Sequence, residues 1–292
     1  MNSKMNKALQ KHLAYVLCIR VNSIRAVSGG DISAAYGITA DTEQFFCKVN
    51  GSPQGLALFE AEQQGLQALR KTKTISVPKV LWCGTFEGNA ILVMEHITAK
   101  QASATDLEKL GQQLAVLHQL SAPPTFGFSN ANFIGSLPQQ NRTHSKWVDF
   151  FVQERLVPQF KLARDTQLVT ATELPTESKL LKRCEALFPE VQPALLHGDL
   201  WSGNYLISEN GEPYLIDPSV YYGHAEVDIA MTRLFGGFGQ RFYDAYHEIR
   251  PEVSGCNERT ALYQLYYLLA HLNMFGVSYK NSVLEIVKRY FL

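Results

Sequence analysis

Asp199, Asn204 and Asp217 are the residues of this 292-residue chain whose types and spacing could do chemistry together. The first two lie in His197-Gly198-Asp199-Leu200-Trp201-Ser202-Gly203-Asn204, and Asp217 follows Tyr214-Leu215-Ile216 and precedes Pro218. Between them, the apolar runs 205–207 and 214–216 flank Asn210-Gly211, a strong hairpin signal. A hairpin would carry two carboxylates and an amide to one of its ends. That set suits a hydroxyl that must lose its proton beside Mg²⁺-bound phosphates, because hard cations take oxygen ligands and the attacking oxygen needs a base. Each piece alone is commonplace, and Ile-Asp-Pro ordinarily ends a strand in an Asp-started turn. Their order along one hairpin is the informative part.

An Asp, an Asn five residues on and then a metal-binding Asp is the spacing of a kinase catalytic loop. The rest of the chain must then supply phosphate contacts, a lysine with its carboxylate partner, and an adenine site. Residues 24–27 and 34–39 read as strands around the turn Ser28-Gly29-Gly30-Asp31-Ile32-Ser33, where side-chain-free backbone at Gly29 and Gly30 could lie over a triphosphate. Lys48 stands in the strand-like run 44–49, either on its polar face or as a paired functional lysine. In the helical pattern over 54–70, Leu58, Glu62, Leu66 and Leu69 fall on one stripe. Glu62 therefore faces inward and Glu60 is turned about 160° away. A carboxylate on a buried stripe needs a partner, and Lys48 is the candidate; the other reading leaves Glu62 in solvent at the edge of the stripe.

Two more strands, 77–84 and 90–97, end in the polar stretch 98–103. Backbone groups from Met94, Glu95 and Ile97 would read an adenine edge there, unless this is an ordinary edge strand. The expected organisation is α+β: a small β-rich part over 1–97 opening on a helix at 5–18, a linker at 98–104, and a mainly helical part over 105–292. Within the latter, His118 on the first core helix reads as a satisfied core histidine. Residues 126–143 read as a long Gly-, Asn- and aromatic-rich loop of the kind that is usually functional, and helices follow over 147–163 and 176–188.

Lys plus Arg equals Asp plus Glu at 27 each, so no global field favours nucleic acid or an anionic membrane. No apolar run approaches the roughly 18 residues of a membrane span. Five scattered cysteines without C-x-x-C spacing fit reduced thiols. These features lead us to expect a soluble, cytoplasmic protein.

On these residues the chain resembles the fructosamine-3-kinase (ketoamine kinase) family, within the wider group of protein-kinase-like and aminoglycoside phosphotransferases. The matching stretches cover nearly the whole chain: Ser28 to Ile32, Phe59 to Glu62, Val77 to Val80, Phe126-Gly127-Phe128 with Asn132 and Ile134-Gly135, and Trp147 with Phe150-Phe151. The narrowest are Asp199-Leu200-Trp201-Ser202-Gly203-Asn204, then Tyr222-Gly223-His224, Glu226, Asp228 and Phe235-Gly236-Gly237-Phe238. The resemblance implies a bilobal kinase fold and ATP- and Mg²⁺-dependent phosphorylation of a sugar hydroxyl, expected to be the 3-hydroxyl, of a ketosamine on a protein or a free amine. In the family this marks glycated amines for loss of the sugar. It further implies Asp199 as base, Asn204 and Asp217 as metal ligands, and Gly29, Gly30, Asp31, Lys48 and Glu62 around the phosphates. Trp201, His197 and Glu226 would lie on the substrate side, with Trp201 offering a flat face to the sugar unless it belongs to the core of the helical lobe.

The departures narrow the reading. Gly198 stands where protein kinases have the arginine of His-Arg-Asp, Pro218 follows Asp217 where Phe-Gly is usual, and no Ala-Pro-Glu follows. A kinase without phospho-switching is expected. Ala225 replaces an arginine of many bacterial members, and Asp31 a cysteine of some eukaryotic ones, so thiol control at that turn is not expected. Two other functions compete. One is a kinase for another hydroxylated amine such as an aminoglycoside, against which residues 218–292 carry seven acids and seven bases rather than an acidic excess. The other is a catalytically dead scaffold, against which all the catalytic residue types are present.

Overall fold

The computed structural model describes residues 3–27, 33–41, 43–120 and 122–292. The glycine turn with Gly29, Gly30 and Asp31 lies outside the described residues. Helix α1 (Ser3–Leu17) leads into a five-stranded antiparallel sheet built from β1 (Val21–Val27), β2 (Ala34–Ala40), β3 (Glu43–Asn50), β4 (Val80–Phe86) and β5 (Asn89–Glu95), in the order β1-β2-β3-β5-β4. Helix α2 (Gly55–Thr72) is inserted between β3 and β4.

The two-residue period of a strand sorts the sheet's side chains. Phe45, Cys47, Val49, Ile91 and Val93 form one core with Leu9 and Leu13 of α1. The alternate residues Leu92 and Met94 join Phe59, Leu66 and Leu69 of α2 in a second core. Lys48 pairs in register with Leu92, and Phe46 with Met94. The period thus sets Lys48 on the face that carries α2.

That second core does not stop at the small lobe. It continues through Leu110 and Leu114 of α3 (Ala104–Gln119) to Leu195, Leu200, Leu215 and Val220, which flank Asp199 and Asp217 in the chain. The segment between β5 and α3 is more structured than a polar linker. Ala99 and Lys100 form the short strand β6, which pairs with β10 (Tyr205–Ser208), itself the hairpin partner of β11 (Pro213–Leu215). Ser103 then caps α3 in a capping box with Asp106. Hydrogen bonds from Ser103 and the Lys100 ammonium hold the Asp106 carboxyl down at about 2. The turn at Gly211 rests on Asp106, 2.8 Å from where a Cβ would sit, and Glu212 is bonded to Lys109 and Gln113. The hairpin is thereby fastened to α3 at its far end, leaving its near end to carry the chemistry.

Residues 126–143 are not a plain loop. They hold the hairpin of β7 (Asn132–Ile134) and β8 (Leu137–Gln139), with bridges from Phe126 to His144 and from Gly127 to Tyr222. The helical lobe packs α4 (Trp147–Phe150), a π-helical stretch at Phe151–Leu156, α5 (Val157–Asp165) and α6 (Glu177–Leu187) against α9 (Cys256–Phe275) and α10 (Lys280–Phe291). Strand β9 (Ala194–Leu196) pairs with β12 (Tyr221–Gly223), and α7 (Glu226–Leu234) and α8 (Gln240–Ile249) complete the lobe. No described helix is long and apolar enough to cross a membrane.

Candidate active site

A cleft of about 1020 Å³ between the sheet and the helical lobe is lined by Lys48, Glu62, Met94, Glu95, Ile97, Asp199, Trp201, Asn204 and Asp217, among others. Lys48 Nζ lies 2.7 Å from Glu62 Oε1 and 2.5 Å from Asp217 Oδ1, while Glu60 points to solvent. Burial alone would lower the lysine pKa, but the Glu62 and Asp217 carboxylates more than offset it and hold the ammonium charged. The two acids share this ammonium unequally: burial pushes the Glu62 carboxyl up, while Lys48 outweighs burial at Asp217 and holds its carboxyl below the usual range.

Asp199 lies in the same cleft. Burial first, then the charges of Asp217 and Asp228, push its carboxyl up to about 7. Asn204, at the end of the turn Ser202–Asn204, donates its Nδ2 to the Asp199 carbonyl oxygen at 2.8 Å. Its amide oxygen is left as a donor for a cation. Asn204 and Asp217 thus offer the neutral and anionic oxygens that Mg²⁺ takes from protein when phosphates and water complete its shell, and this donor set fits such an ion.

The two catalytic segments are stitched together by backbone. Gly198 has φ +84°, and a Cβ there would lie 2.1 Å from the Ser219 carbonyl oxygen. No arginine, nor any other side chain, fits where His-Arg-Asp would place one. Ser219 N–H donates to His197 O at 2.8 Å, and Tyr267 Oη–H to Gly198 O at 2.9 Å. His197 Nε2–H donates to Ile216 O at 2.8 Å, so its Nδ1 is the acceptor that faces the Asp199 N–H at 3.3 Å. Burial lowers the pKa of this histidine and keeps it neutral. It is fully buried and does not line the cleft.

Glu226 is also outside the cleft. Its carboxylate takes a bidentate pair from Arg259, Nε at 2.6 Å and Nη2 at 2.7 Å. The geometry therefore gives His197 and Glu226 supporting positions, not contact with a substrate in the cleft. Trp201 behaves differently. Its indole is 37% exposed, faces the cleft and lies over Gly203, where a Cβ would come within 2.4 Å of the ring. Asp217 adopts φ +54°, and the following Pro218 packs 3.0 Å from a Cβ position at Gly65 of α2. The helix that carries Glu62 is thereby seated directly on the residue after Asp217.

Asp228 was not among the expected site residues, yet it organises the loop. Its Oδ2 accepts from His197 N–H at 2.7 Å, its Oδ1 from Gly198 N–H at 2.9 Å, and His118 Nε2 lies 3.2 Å away. Burial opposes its ionisation, but the His118 hydrogen bond and the backbone donors hold the carboxyl below its usual range. A carboxylate can only accept, so His118 carries its proton on Nε2 and takes the Tyr246 hydroxyl on Nδ1 at 2.9 Å. The sequence held a usable signal: an acid between Val227 and Ile229 on an apolar helix needs a partner for the same reason as Glu62.

A fructosamine kinase family model matches residues 1–292. The chain is 39% identical over 272 residues to a "Probable ketoamine kinase" of Synechocystis sp., covering 92% of this chain and 90% of that one. It is 39% identical over 275 residues to the chloroplastic "Protein-ribulosamine 3-kinase" of Arabidopsis thaliana, covering 93% and 83%. Among solved structures, a "Putative fructosamine-3-kinase" from Haemophilus somnus superposes with a TM-score of 0.88 at 25% identity, covering 98% and 97%. A thermostable mutant of the aminoglycoside phosphotransferase APH(4)-Ia shares the fold, with a TM-score of 0.63 at 17% identity over 96% and 98%. With its kinase-like two-lobed architecture and a family match along its whole length, the chain belongs to the fructosamine kinase family.

Proposed function

We propose that this protein uses ATP to phosphorylate a ketose hydroxyl, the 3-hydroxyl, of ketosamines, the adducts of sugars with protein or free amines. The observation that carries the reading is Asp199 standing at the cleft with its carboxyl pushed up to about 7, beside the Lys48–Asp217 pair and the exposed face of Trp201. Family membership and relatives bearing the ketoamine and ribulosamine kinase names support the substrate class over an aminoglycoside.

Asp199 accepts the proton of the attacking hydroxyl, a base of this kind contributing about 10²- to 10⁴-fold. The hydroxyl oxygen bonds to the γ-phosphorus, the bond to the β,γ-bridging oxygen breaks, and ADP leaves with that electron pair. Lys48 stabilises the phosphate charge, held in place by Glu62 on the seated helix α2. Met94, Glu95 and Ile97, where β5 gives way to the connecting segment, take the adenine, and Gly29, Gly30 and Asp31, outside the described residues, are assigned to the phosphates by the family resemblance alone. Asn204 and Asp217 would hold Mg²⁺, which when bound would supply neutralisation of phosphate charge. Residues 1–97 act as the nucleotide lobe, 98–104 as the hinge and 105–292 as the catalytic and substrate lobe. A phosphate beside the C2 carbonyl of a ketosamine is a better leaving group than hydroxide, which labilises the adduct and makes the reaction one of repair.

The five cysteines are free thiols. Burial pushes those of Cys47 and Cys184 up to about 12. Free thiols and bacterial relatives support a cytoplasmic setting.

The test is ATP consumption with Mg²⁺ against lysine ketosamines of several sugars, with free sugars and aminoglycosides as controls. Turnover on a ketosamine is the expected result. Turnover confined to an aminoglycoside would keep the catalytic residues and replace the substrate.

A further inference from the structure

Past Trp201 the cleft runs on to the ends of α7 and α9, a part of the molecule to which the reaction assigns no task. Phe235, His271, Phe275 and Tyr279 line it. Their rings pack on one another around His271, with centroid distances of 4.9 Å to Phe235, 5.5 Å to Phe275 and 5.1 Å to Tyr279. Phe235 is nevertheless 41% exposed and Phe275 53% exposed. Clustered exposed aromatics at the mouth of a cleft are the usual mark of a binding surface. Rings already held by one another lose little freedom when a ligand lands on them.

The charges of the cleft are distributed unevenly. Among the described residues its acids are Glu62, Glu95, Asp199 and Asp217, all at or on the nucleotide side of the reacting centre. The aromatic end has none. His271 donates Nδ1–H to the Tyr267 carbonyl at 2.8 Å, and burial lowers its pKa, so it adds no positive charge. With the reacting hydroxyl at Asp199 and the sugar against Trp201, as proposed above, these rings line the same cleft and offer the group attached to the sugar an apolar surface.

We infer that Phe235, His271, Phe275 and Tyr279 form a subsite for the amine part of the ketosamine, and that it favours small free amines carrying a flat apolar group over polycationic ones. The inference rests on the proposed function and adds to it the chemical class of the amine.

The experiment measures kcat/KM for fructose adducts of three amines: methylamine, phenethylamine and 1,4-diaminobutane. Each is assayed with the wild type and with Phe275→Ala and Phe235→Ala. The phenethylamine adduct should exceed the methylamine adduct about tenfold, the scale of apolar contacts in a hydrophobic pocket, and the diaminobutane adduct should not exceed it. In Phe275→Ala that ratio should fall below about threefold. Both phenylalanines are substantially exposed, so truncation leaves the core filled, and an unchanged thermal midpoint confirms it. Phe275→Asp should shift preference toward the diaminobutane adduct. Equal kcat/KM for all three adducts in the wild type, or a preference that survives both alanine variants, overturns the subsite alone. Failure on every adduct overturns the ketosamine reaction and the subsite with it.

Discussion

The two ends of one cleft, one proposed to take the phosphates and the other the acceptor, are built on opposite principles. At the phosphate end Lys48, Glu62, Asp217, Asn204 and Asp199 are bonded to one another or to backbone at 2.5 to 3.4 Å. Behind them Asp228, His118 and His197 form a buried scaffold with its donors and acceptors matched. At the acceptor end the walls are aromatic faces, partly open to water and free of acids. Charge stabilisation in a transition state demands fixed, desolvated groups. Holding a variable amine demands only surface. On the proposed function, the difference teaches that the reaction would be determined by a few over-connected residues, and choice of substrate by residues whose loss the fold tolerates.

The sharpest way to test that contrast is Asp199→Asn. Turnover should drop by about 10²- to 10⁴-fold with ATP binding largely intact. The same change should raise stability at pH 8. With a folded pKa of about 7 against an ordinary value of 3.8, Asp199 favours the native state only while protonated, and that advantage is lost as pH rises through 7. Removing the ionisable group therefore stabilises the fold there by roughly 1–3 kcal/mol, read as a thermal midpoint several degrees higher. Comparable turnover in this variant would mean that Asp199 is not the base.

Lys48→Ala should move stability the other way, costing about 3 kcal/mol because Glu62 and Asp217 lose their shared partner, and it should weaken ATP binding in a titration. Gly198→Ala forces a Cβ against the Ser219 carbonyl at φ +84°, a clash and backbone strain worth roughly 2–4 kcal/mol. Gly236→Ala has a similar φ of +72° but nothing within 4 Å, so it should cost only about 1 kcal/mol. Equal midpoints for the two variants would show that the stitching at Gly198 is not as tight as described.

Acid should destabilise the fold through its buried histidines. Burial, with Arg259 and Arg250 nearby, lowers the pKa of His224 from 6.5 to about 3, and burial likewise lowers those of His118 and His197. Groups with depressed folded values contribute stability that is full above pH 6.5 and is lost as pH falls, because the unfolded chain takes up protons first. By pH 5 His224 alone should cost roughly 2 kcal/mol, seen as a falling denaturation midpoint. Smallest of all, Trp201→Ala should leave the fold intact and reduce kcat/KM about tenfold, on the scale of a lost aromatic contact to a sugar and its cationic nitrogen.

What could be read in advance follows the same division. The hairpin, its Asn210-Gly211 turn and the inward Glu62 were legible because strand and helix periods place residues close in sequence on one face. Residues 126–143 read as a loop because β7 and β8 are three residues each, too short for a period, and Gly127 finds its partner only at Tyr222. The two-residue β6 escaped for the same reason. His197 and Glu226 lie near Asp199 in motif but inside the lobe in space, where one orients backbone and the other holds Arg259. The aromatic subsite was invisible because Phe235 follows α7, His271 and Phe275 lie on α9 and Tyr279 lies in the turn before α10, joined by packing and by no local pattern.

The central claim is that phosphate passes to the sugar of a ketosamine. The most direct measurement locates it: the protein is incubated with Mg·ATP and a lysine ketosamine, and the product is examined by phosphorus–proton correlation NMR. One phosphate per ADP formed, attached to the C3 oxygen of the ketose, is the predicted result. ATP hydrolysis without a sugar phosphate, or a phosphate carried by the amine portion, would contradict it.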